Sequence, residues 1–464
     1  MASTKPMSTL DDLREGISGR LITPRDPEYD TARVVVEGRI DLHPAAIVRV
    51  ANADDVARVI RYARDTGAEL AVRSGGHSGA GHGTTEGGVV IDLRDMKGLE
   101  IDPEARTAWA ETGLDAGEVT TAAAEHGLAV GFGDTASVGI GGITTGGGIG
   151  YLVRKHGLTI DNVLAAEVVT ADGEILTVDV DQHPDLFWAI RGGGGNFGVV
   201  TRFQYRLHPV PEVTGGILVL PATAETVTGF MAAAEAAGED LSTIANVMNC
   251  PPMPFVPEEH HGSLVILAML CNAGDAEAGE RAMAPFRQLA EPLADLVNPM
   301  TYPGMYPPEP EEAGEYRPMA VARTLFMDHV GPEEAAVIVE QLEASDAPLR
   351  AVQLRVLGGA MARVAPDATA FAHRSSRVMG VVVSFFEGPD DLPRREAWVA
   401  GLHGRLRQSD AGAYVNFLGD EGPDGVHAAY PGGHWERLAA LKARYDPTNL
   451  FRRNQNIAPA AEPF

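Results

Sequence analysis

Three groups of residues in this chain could do chemistry: a histidine set among glycines, runs of small residues able to hold an anion, and a C-terminal tyrosine close to an asparagine. His77 lies in RSGGHSGAGHG at 73–83, where a ligand approaching the backbone would meet its imidazole. That ring can ligate a metal or act as a nucleophile. Metal binding needs partner ligands. His82 is nearby, but no carboxylate or further histidine follows at ligand spacing, so no metal site is expected. The nucleophile reading allows a covalent bond to a cofactor. In GIGGITTGGGIG at 139–150, consecutive small residues expose N–H groups, and Thr144 and Thr145 add hydroxyls, together a nest for a pyrophosphate. The dinucleotide-fold fingerprint fails here: Gly139-x-Gly141 is followed at the third position by Thr144, and the run lies far from any first β-α-β unit. Two more clusters are GFGD at 131–134 and RGGGGNFG at 191–198. Four such clusters make close approach of backbone to a ligand a better reading than an isolated structural turn.

The elements that must position these residues are legible around them. Ala45 to Val50 reads as a strand, followed by helical spacing at Val56, Val59, Ile60 and Ala63 with Asn52 or Asp54 as N-cap. Glu69 to Arg73 is the next strand and delivers the chain into the first glycine cluster. Strands are predicted at Gly88–Leu93, Arg106–Glu111 and Val199–Leu207, and helices at Glu118–His126 and Pro184–Arg191. Val163 to Val178 reads as two strands joined by a turn at Ala171-Asp172-Gly173. His208-Pro209-Val210-Pro211 breaks the pattern. Beyond it, glycine thins and proline increases, with helices at Ala224–Ala237 and Gly331–Ser345 and strands at Leu264–Cys271 and Val378–Phe386. The expected division is 1–210, 211–410, and a C-terminal segment 411–464 that returns to the first part. No repeat at a fixed period is present.

Composition sets outer bounds. The chain has 464 residues, 45% hydrophobic and 22% charged, a globular balance. Its net charge of -27 would repel phosphate backbones and anionic lipid, so nucleic acid and membranes are not expected partners. Cys250 and Cys271 are the only cysteines, too few for a disulfide framework, a four-cysteine zinc site or a cysteine-ligated cluster. The N-terminal residues carry no apolar signal core. The conspicuous apolar run Leu264–Cys271 is far short of the roughly 20 residues that span a bilayer. A cytoplasmic location is expected.

The strand-RSGGHS element resembles the FAD-anchoring loop of the vanillyl-alcohol-oxidase superfamily, and the chain is similar to its berberine-bridge-enzyme-like branch almost end to end. The matching stretches include GRIDLHPAAIVRVANADDVARVIRYAR at 38–64, TASVGIGGITTGGGIGYLVRKHGLTIDNVLAAEVVTADGEI at 135–175, DLFWAIRGGGGNFGVVTRFQYRLHPV at 185–210, YVNF at 414–417 and YDPTNLFRRNQNIAP at 445–459. The resemblance implies an α+β fold of two domains, one binding FAD and one a sheet with covering helices that roofs the isoalloxazine. It implies that His77 bonds to the flavin 8α-methyl carbon and that Arg73, Ser74, Gly75, Gly76 and Ser78 form the cradle around it. Ser137, Gly139, Gly142, Thr145 and Gly147 match a second flavin- and phosphate-contacting segment. Val200 matches a strand beside the adenine end, and Asn416 and Asn454 match C-terminal residues that approach the isoalloxazine. Many relatives have a cysteine bonded to flavin carbon 6 where this chain has Thr135. A single link through His77 is therefore expected, with no cysteinyl link. Val138 points toward oxygen access, because a small side chain there would leave room over the flavin.

Tyr414 is the candidate base. It stands two before Asn416, so in a strand both would face the flavin. Its phenol, with a reference pKa of roughly 10, would need help from nearby positive charge or from coupling of proton loss to hydride loss. Tyr151, His373 and Arg374 are candidates for substrate contact, with packing or an ion pair as the competing role. The expected activity is that of an oxidase taking hydride from an alcohol, a sugar or secondary-metabolite hydroxyl, with oxygen returning hydrogen peroxide. Alternatives are oxidation of a C–N bond in a cyclic amine, a flavin dehydrogenase with another acceptor, and a flavoprotein that binds a metabolite without turnover. Substrate identity and oligomeric state are not readable.

Overall fold

The structure, a computed structural model, describes residues 9–306, 317–409 and 412–461. The boundary expected at 410/411 lies outside the described residues.

A short mixed sheet carries the first glycine cluster. Its strand order is Arg20–Ile22, Ala46–Arg49, Val89–Asp92, Leu70–Arg73, and the last three run parallel. Ala46–Arg49 connects to Leu70–Arg73 through the helix Ala53–Thr66, capped by Asn52, whose side chain accepts from the Asp55 N–H, and ended by Gly67 at φ +72°. Val56, Val59, Ile60 and Ala63 are buried as the helical spacing predicts. Beside this sheet lies an antiparallel one in the order Leu99–Asp102, Thr107–Glu111, Val199–Arg206, Val163–Val169, Ile175–Val178. The predicted hairpin at 171–173 is present, with Gly173 at φ +85°. The helix expected from Glu118 begins at Ala116, because Asp115 and Glu118 cap each other's backbone and fix an earlier start.

Residues 213–386 supply a third, antiparallel sheet. Its long strands follow the order Val213–Pro221, Leu264–Asn272, Leu241–Asn249, Arg350–Val356, Val378–Phe386, Met319–Met327. One face is apolar: Leu218, Leu220, Ala245, Val247, Ile266, Val352, Leu354 and Val382 pack against helices Ala224–Ala236, Ala276–Arg287, Pro332–Ala344 and Leu392–Leu406. The alternate residues of the same strands, among them Asn246, Gln353 and Arg355, therefore project from the other face.

The end of the chain packs on its beginning. Val415, Leu418, Val426, Tyr430, Leu438 and Ile457 join one core with Ala108, Phe132, Val168 and Phe203. Lys442, on the helix His434–Tyr445, is fully buried, and its ammonium donates to the carbonyls of Asn196 and Phe451 and to Asp446 at 2.7–2.8 Å. Among the described residues, no helix is long and apolar enough to cross a membrane.

Candidate active site

Two glycine clusters cross in contact. Leu70–Arg73 ends in Ser74, whose hydroxyl donates to the Thr112 carbonyl at 2.5 Å and accepts from the Gly141 N–H at 3.3 Å. A Cβ on Gly75 would lie 2.3 Å from the Gly139 nitrogen, and one on Gly139 would lie 2.1 Å from the Ser74 hydroxyl. Only glycine lets the two segments touch. Gly76 then turns at φ +77°, and the chain presents His77, whose Nε2 is 3.1 Å from the Ser137 hydroxyl. The fold thus brings Ser74, Gly75, Gly76, His77, Ser137 and Gly139 together. Arg73 supports them from below. Its buried guanidinium donates to Asp92 at 2.7 Å and to the Ala32 carbonyl at 2.6 Å, so its side chain serves the loop's foundation. Ser78 continues the loop, with its carbonyl accepting from the Gly81 N–H.

The outward faces of the clusters are open. A Cβ on Gly79, Gly142 or Gly195 would meet nothing within 4 Å. The buried carboxamide oxygens of Asn454 and Asn456 have no hydrogen-bond partner, although the Asn454 amide donates to the carbonyls of Gly195 and Phe451. Bare backbone beside unpartnered acceptors fits a flat group that carries N–H donors, as FAD does. Thr145 directs its hydroxyl to the carbonyls of Gly141 and Gly142 in its own helix. Val138 is half-buried and Thr135 exposed at the start of the same crossing. Val200 is buried in its strand opposite Val168. Cys250 and Cys271 are buried free thiols on or beside the third sheet, far from Thr135 in sequence. Among the described residues no group of His, Cys, Asp and Glu could hold a metal ion.

Tyr414 and Asn416 do meet, but not by the strand geometry expected. Residues Val415–Phe417 form a 3-10 turn, closed by the Phe417 N–H donating to the Tyr414 carbonyl. The turn folds the Asn416 amide back to 3.0 Å from the Tyr414 hydroxyl and 3.0 Å from the Ile143 carbonyl. The same hydroxyl accepts from the Gly148 N–H at 2.9 Å. Gly146 and Gly147 are needed beside it: a Cβ on Gly146 would strike the Asn416 carboxamide at 1.9 Å, and one on Gly147, at φ +133°, would lie 3.3 Å from the Tyr414 ring. The Tyr414 ring belongs to an apolar cluster with Ile149, Phe326, Phe371, Met379, Val381 and Phe417, and Phe371 and Phe417 meet it edge-on. Burial pushes the Tyr414 pKa above its ordinary value, while the donors from Asn416 and Gly148 and the charge of Arg355 pull it back.

The three substrate candidates are buried among protein neighbours. Arg374 is buried in a two-pronged ion pair with Asp161, at 2.7 and 2.8 Å, and also donates to Thr369. His373 stacks on Phe326 at 4.3 Å, with Nε2 beside the Ala429 carbonyl. Tyr151 is buried among Ala129, Tyr302 and Tyr306, with its hydroxyl on the Met269 sulfur.

Sequence reasoning missed a polar chain on the third sheet. The Arg355 guanidinium donates to Asp134 at 2.6 Å, to the Ile149 carbonyl at 2.9 Å and to Gln353 at 2.9 Å, and Gln353 in turn donates to Asn246 at 2.9 Å. The available signal was a pair of polar residues two apart in the strand RAVQLRV, placing both on one face. Asp134 was visible only as the end of GFGD.

Residues 44–179 match the FAD binding domain family, and residues 413–458 match the family described as berberine and berberine like. The chain is 32% identical over 456 residues to the (R)-6-hydroxynicotine oxidase of Paenarthrobacter nicotinovorans, covering 96% of this chain and 97% of that one. An uncharacterized FAD-linked oxidoreductase of Bacillus subtilis (strain 168) is 30% identical over 461 residues, covering 96% and 97%. The crystal structure of 6-hydroxy-D-nicotine oxidase from Arthrobacter nicotinovorans superposes with a TM-score of 0.84 at 28% identity, covering 96% of this chain and 98% of that chain. A xylooligosaccharide oxidase of Thermothelomyces thermophilus is 28% identical over 473 residues, covering 93% and 91%.

Proposed function

This chain belongs to the berberine-bridge-enzyme-like FAD-linked oxidases of the vanillyl-alcohol-oxidase superfamily, and from that premise we propose that it oxidises a C–N bond in a small, largely apolar amine. The alcohol reading placed first in the sequence analysis gives way to its alternative. The supporting relative is the hydroxynicotine oxidase, ahead of the oligosaccharide oxidase in identity. The observation that carries the reading is the apolar cluster in which the Tyr414 ring is packed, with Phe371 and Phe417 edge-on to it. A sugar brings many hydroxyls, each needing a partner once desolvated. The nearest polar side chains of the sheet, Asn246, Gln353 and Arg355, are already bonded to one another.

In this proposal residues 1–210 and 411–464 hold FAD, and 211–410 roof it. His77 carries a single covalent link at the flavin 8α position, with Ser137 holding its other edge. Bound FAD supplies a two-electron acceptor that oxygen returns to its oxidised form with release of hydrogen peroxide. The substrate gives up a hydride from carbon and a proton from nitrogen and leaves as the imine. Tyr414, in its phenolate form, would accept that proton and become the neutral phenol. Gly148 and Asn416 donate to its oxygen and fix where the proton is delivered.

Two experiments test this. Anaerobic mixing with a panel of cyclic secondary amines and oligosaccharides should bleach the flavin at least a hundredfold faster with an amine. Bleaching by sugars alone would overturn the C–N reading and restore the alcohol. Acid precipitation should leave yellow flavin in the pellet, mapping to His77; flavin found wholly in the supernatant would remove the covalent link.

A further inference from the structure

The Tyr414 hydroxyl is held by a loop that is itself held from the other side. The Gly148 N–H donates to the phenol oxygen. One peptide further along, the Ile149 carbonyl accepts from Arg355 at 2.9 Å, while the intervening carbonyls of Gly147 and Gly148 accept from the N–H groups of Ile160 and Thr159. Arg355 lies on the strand Arg350–Val356 of the third sheet and is 3% exposed. Its remaining donors go to Gln353, on the same strand, and to Asp134, which comes from the glycine-rich half of the molecule. One buried guanidinium therefore ties the sheet, the 146–150 loop and the GFGD segment into one unit. Its planar fork suits three acceptors at fixed angles, which a lysine ammonium on a flexible stem does not.

We propose that Arg355 is a positioning residue for Tyr414: by gripping the Ile149 carbonyl it anchors the end of the 147–149 segment whose Gly148 N–H donates to the phenol oxygen, while Ile160 and Thr159 hold the two carbonyls between. The inference rests on Tyr414 receiving the substrate proton. Arg355 has a second effect on the same oxygen. It is the charged side chain that bears on Tyr414 and favours the phenolate, against burial. The other charged and titratable groups packed around the ring are engaged elsewhere. Asp134 is paired with Arg355. Arg374 lies over the far ring Phe371 and is paired with Asp161. His373 stands behind Phe371 and Phe326. The backbone donor and the positive charge thus come from one arrangement, and losing Arg355 weakens both.

The test uses holoenzyme labelled with 13C at the tyrosine ring carbon that bears oxygen. The Tyr414 signal is assigned by its loss in Tyr414→Phe and followed against pH. The same proteins are mixed anaerobically with the best substrate and the flavin-reduction rate is measured across pH. Arg355→Met should move the Tyr414 titration up by about one pH unit or more. It should carry the rising limb of the reduction rate with it, so that the rate falls roughly tenfold near neutral pH and recovers in alkali. Arg355→Lys keeps the charge but not the fork, and should fall between wild type and Arg355→Met. An unmoved Tyr414 titration in Arg355→Met overturns the proposal, even if the rate falls. Loss of bound flavin in both Arg355 variants also overturns it, because Arg355 would then be merely structural. If the titration moves but Tyr414→Phe reduces its flavin as fast as wild type, the positioning stands and the base reading of Tyr414 fails.

Discussion

The glycine-rich crossing and the eight-stranded sheet, the proposed roof, are built on opposite principles. At the crossing, backbone touches backbone, and the absence of side chains at Gly75 and Gly139 makes the geometry possible. In the roof, the contacts that reach the other half of the molecule are made by side chains, such as Arg355, standing out from regular strands. A backbone contact has nothing that can give way, whereas a side-chain contact can shift to another rotamer. The first kind of construction should be brittle to small substitutions and the second tolerant of them.

The largest contrast is expected between two glycines. Gly139→Ala must displace the Ser74 hydroxyl and the Gly75 nitrogen from 2.1 and 2.2 Å. Purified protein should contain essentially no flavin, read from its absorbance ratio. Retention of a full complement would erase the distinction. Next in size, Arg374→Met strands the buried Asp161 carboxylate. Removing one partner of a buried pair costs about 3–5 kcal/mol, which denaturant titration would register as a large fall in midpoint.

Asp92, beneath the first glycine cluster, gives a pH-dependent term. Burial alone would raise its pKa, but Arg94, Arg73 and Arg49 bring it down to about 2. A folded pKa below the unfolded value adds stability above the unfolded pKa near 4, and that stability is lost as pH falls through 2. The term is worth about 2 kcal/mol. Stability of the wild type should therefore decline between pH 4 and pH 2, and Asp92→Asn should flatten that decline; an unchanged slope would place the acid sensitivity elsewhere. The smallest effect should come from Gly380→Ala in the roof. There the new Cβ meets the end of Leu325 at 2.9 Å and the Met327 sulfur at 3.5 Å. Flexible tips can move aside, so the midpoint should shift by about 1 kcal/mol or less with flavin content intact. A loss as great as that of Gly139→Ala would show the roof to be equally brittle.

The same contrast explains what the sequence made legible. The strand leading to His77, the helix after Asn52, the hairpin at Gly173 and the strand Val378–Phe386 are local patterns, and each was read within a few residues. The glycine clusters announced close approach because glycine has few other reasons to recur so densely. The turn at 415–417 was misread as strand, since YVNF alternates well enough for either and only the packing of Asn416 on Ile143 and Gly146 decides. Arg355 was overlooked for a different reason. A lone cation in a strand says nothing until its partners are known, and Asp134 is 221 positions away in sequence. His373 and Arg374 drew attention by their types alone, and their neighbours turned that chemistry inward.

Lys442 bears on how the protein is made. Its buried ammonium joins the helix His434–Tyr445 to carbonyls on either side of the 230-odd residues that precede it, including Asn196. The core laid down by residues 108–207 stays open along the surface that Val415, Tyr430, Leu438 and Ile457 later cover. On the ribosome, that apolar surface waits while the whole eight-stranded sheet is synthesised. Closure is a late event joining distant parts of the chain, the kind of contact that slows folding. Tyr414, Asn416 and Asn454 all arrive with it, so a nascent chain arrested before residue 410 would display its glycine loops without the C-terminal side chains that bond to them in the finished fold.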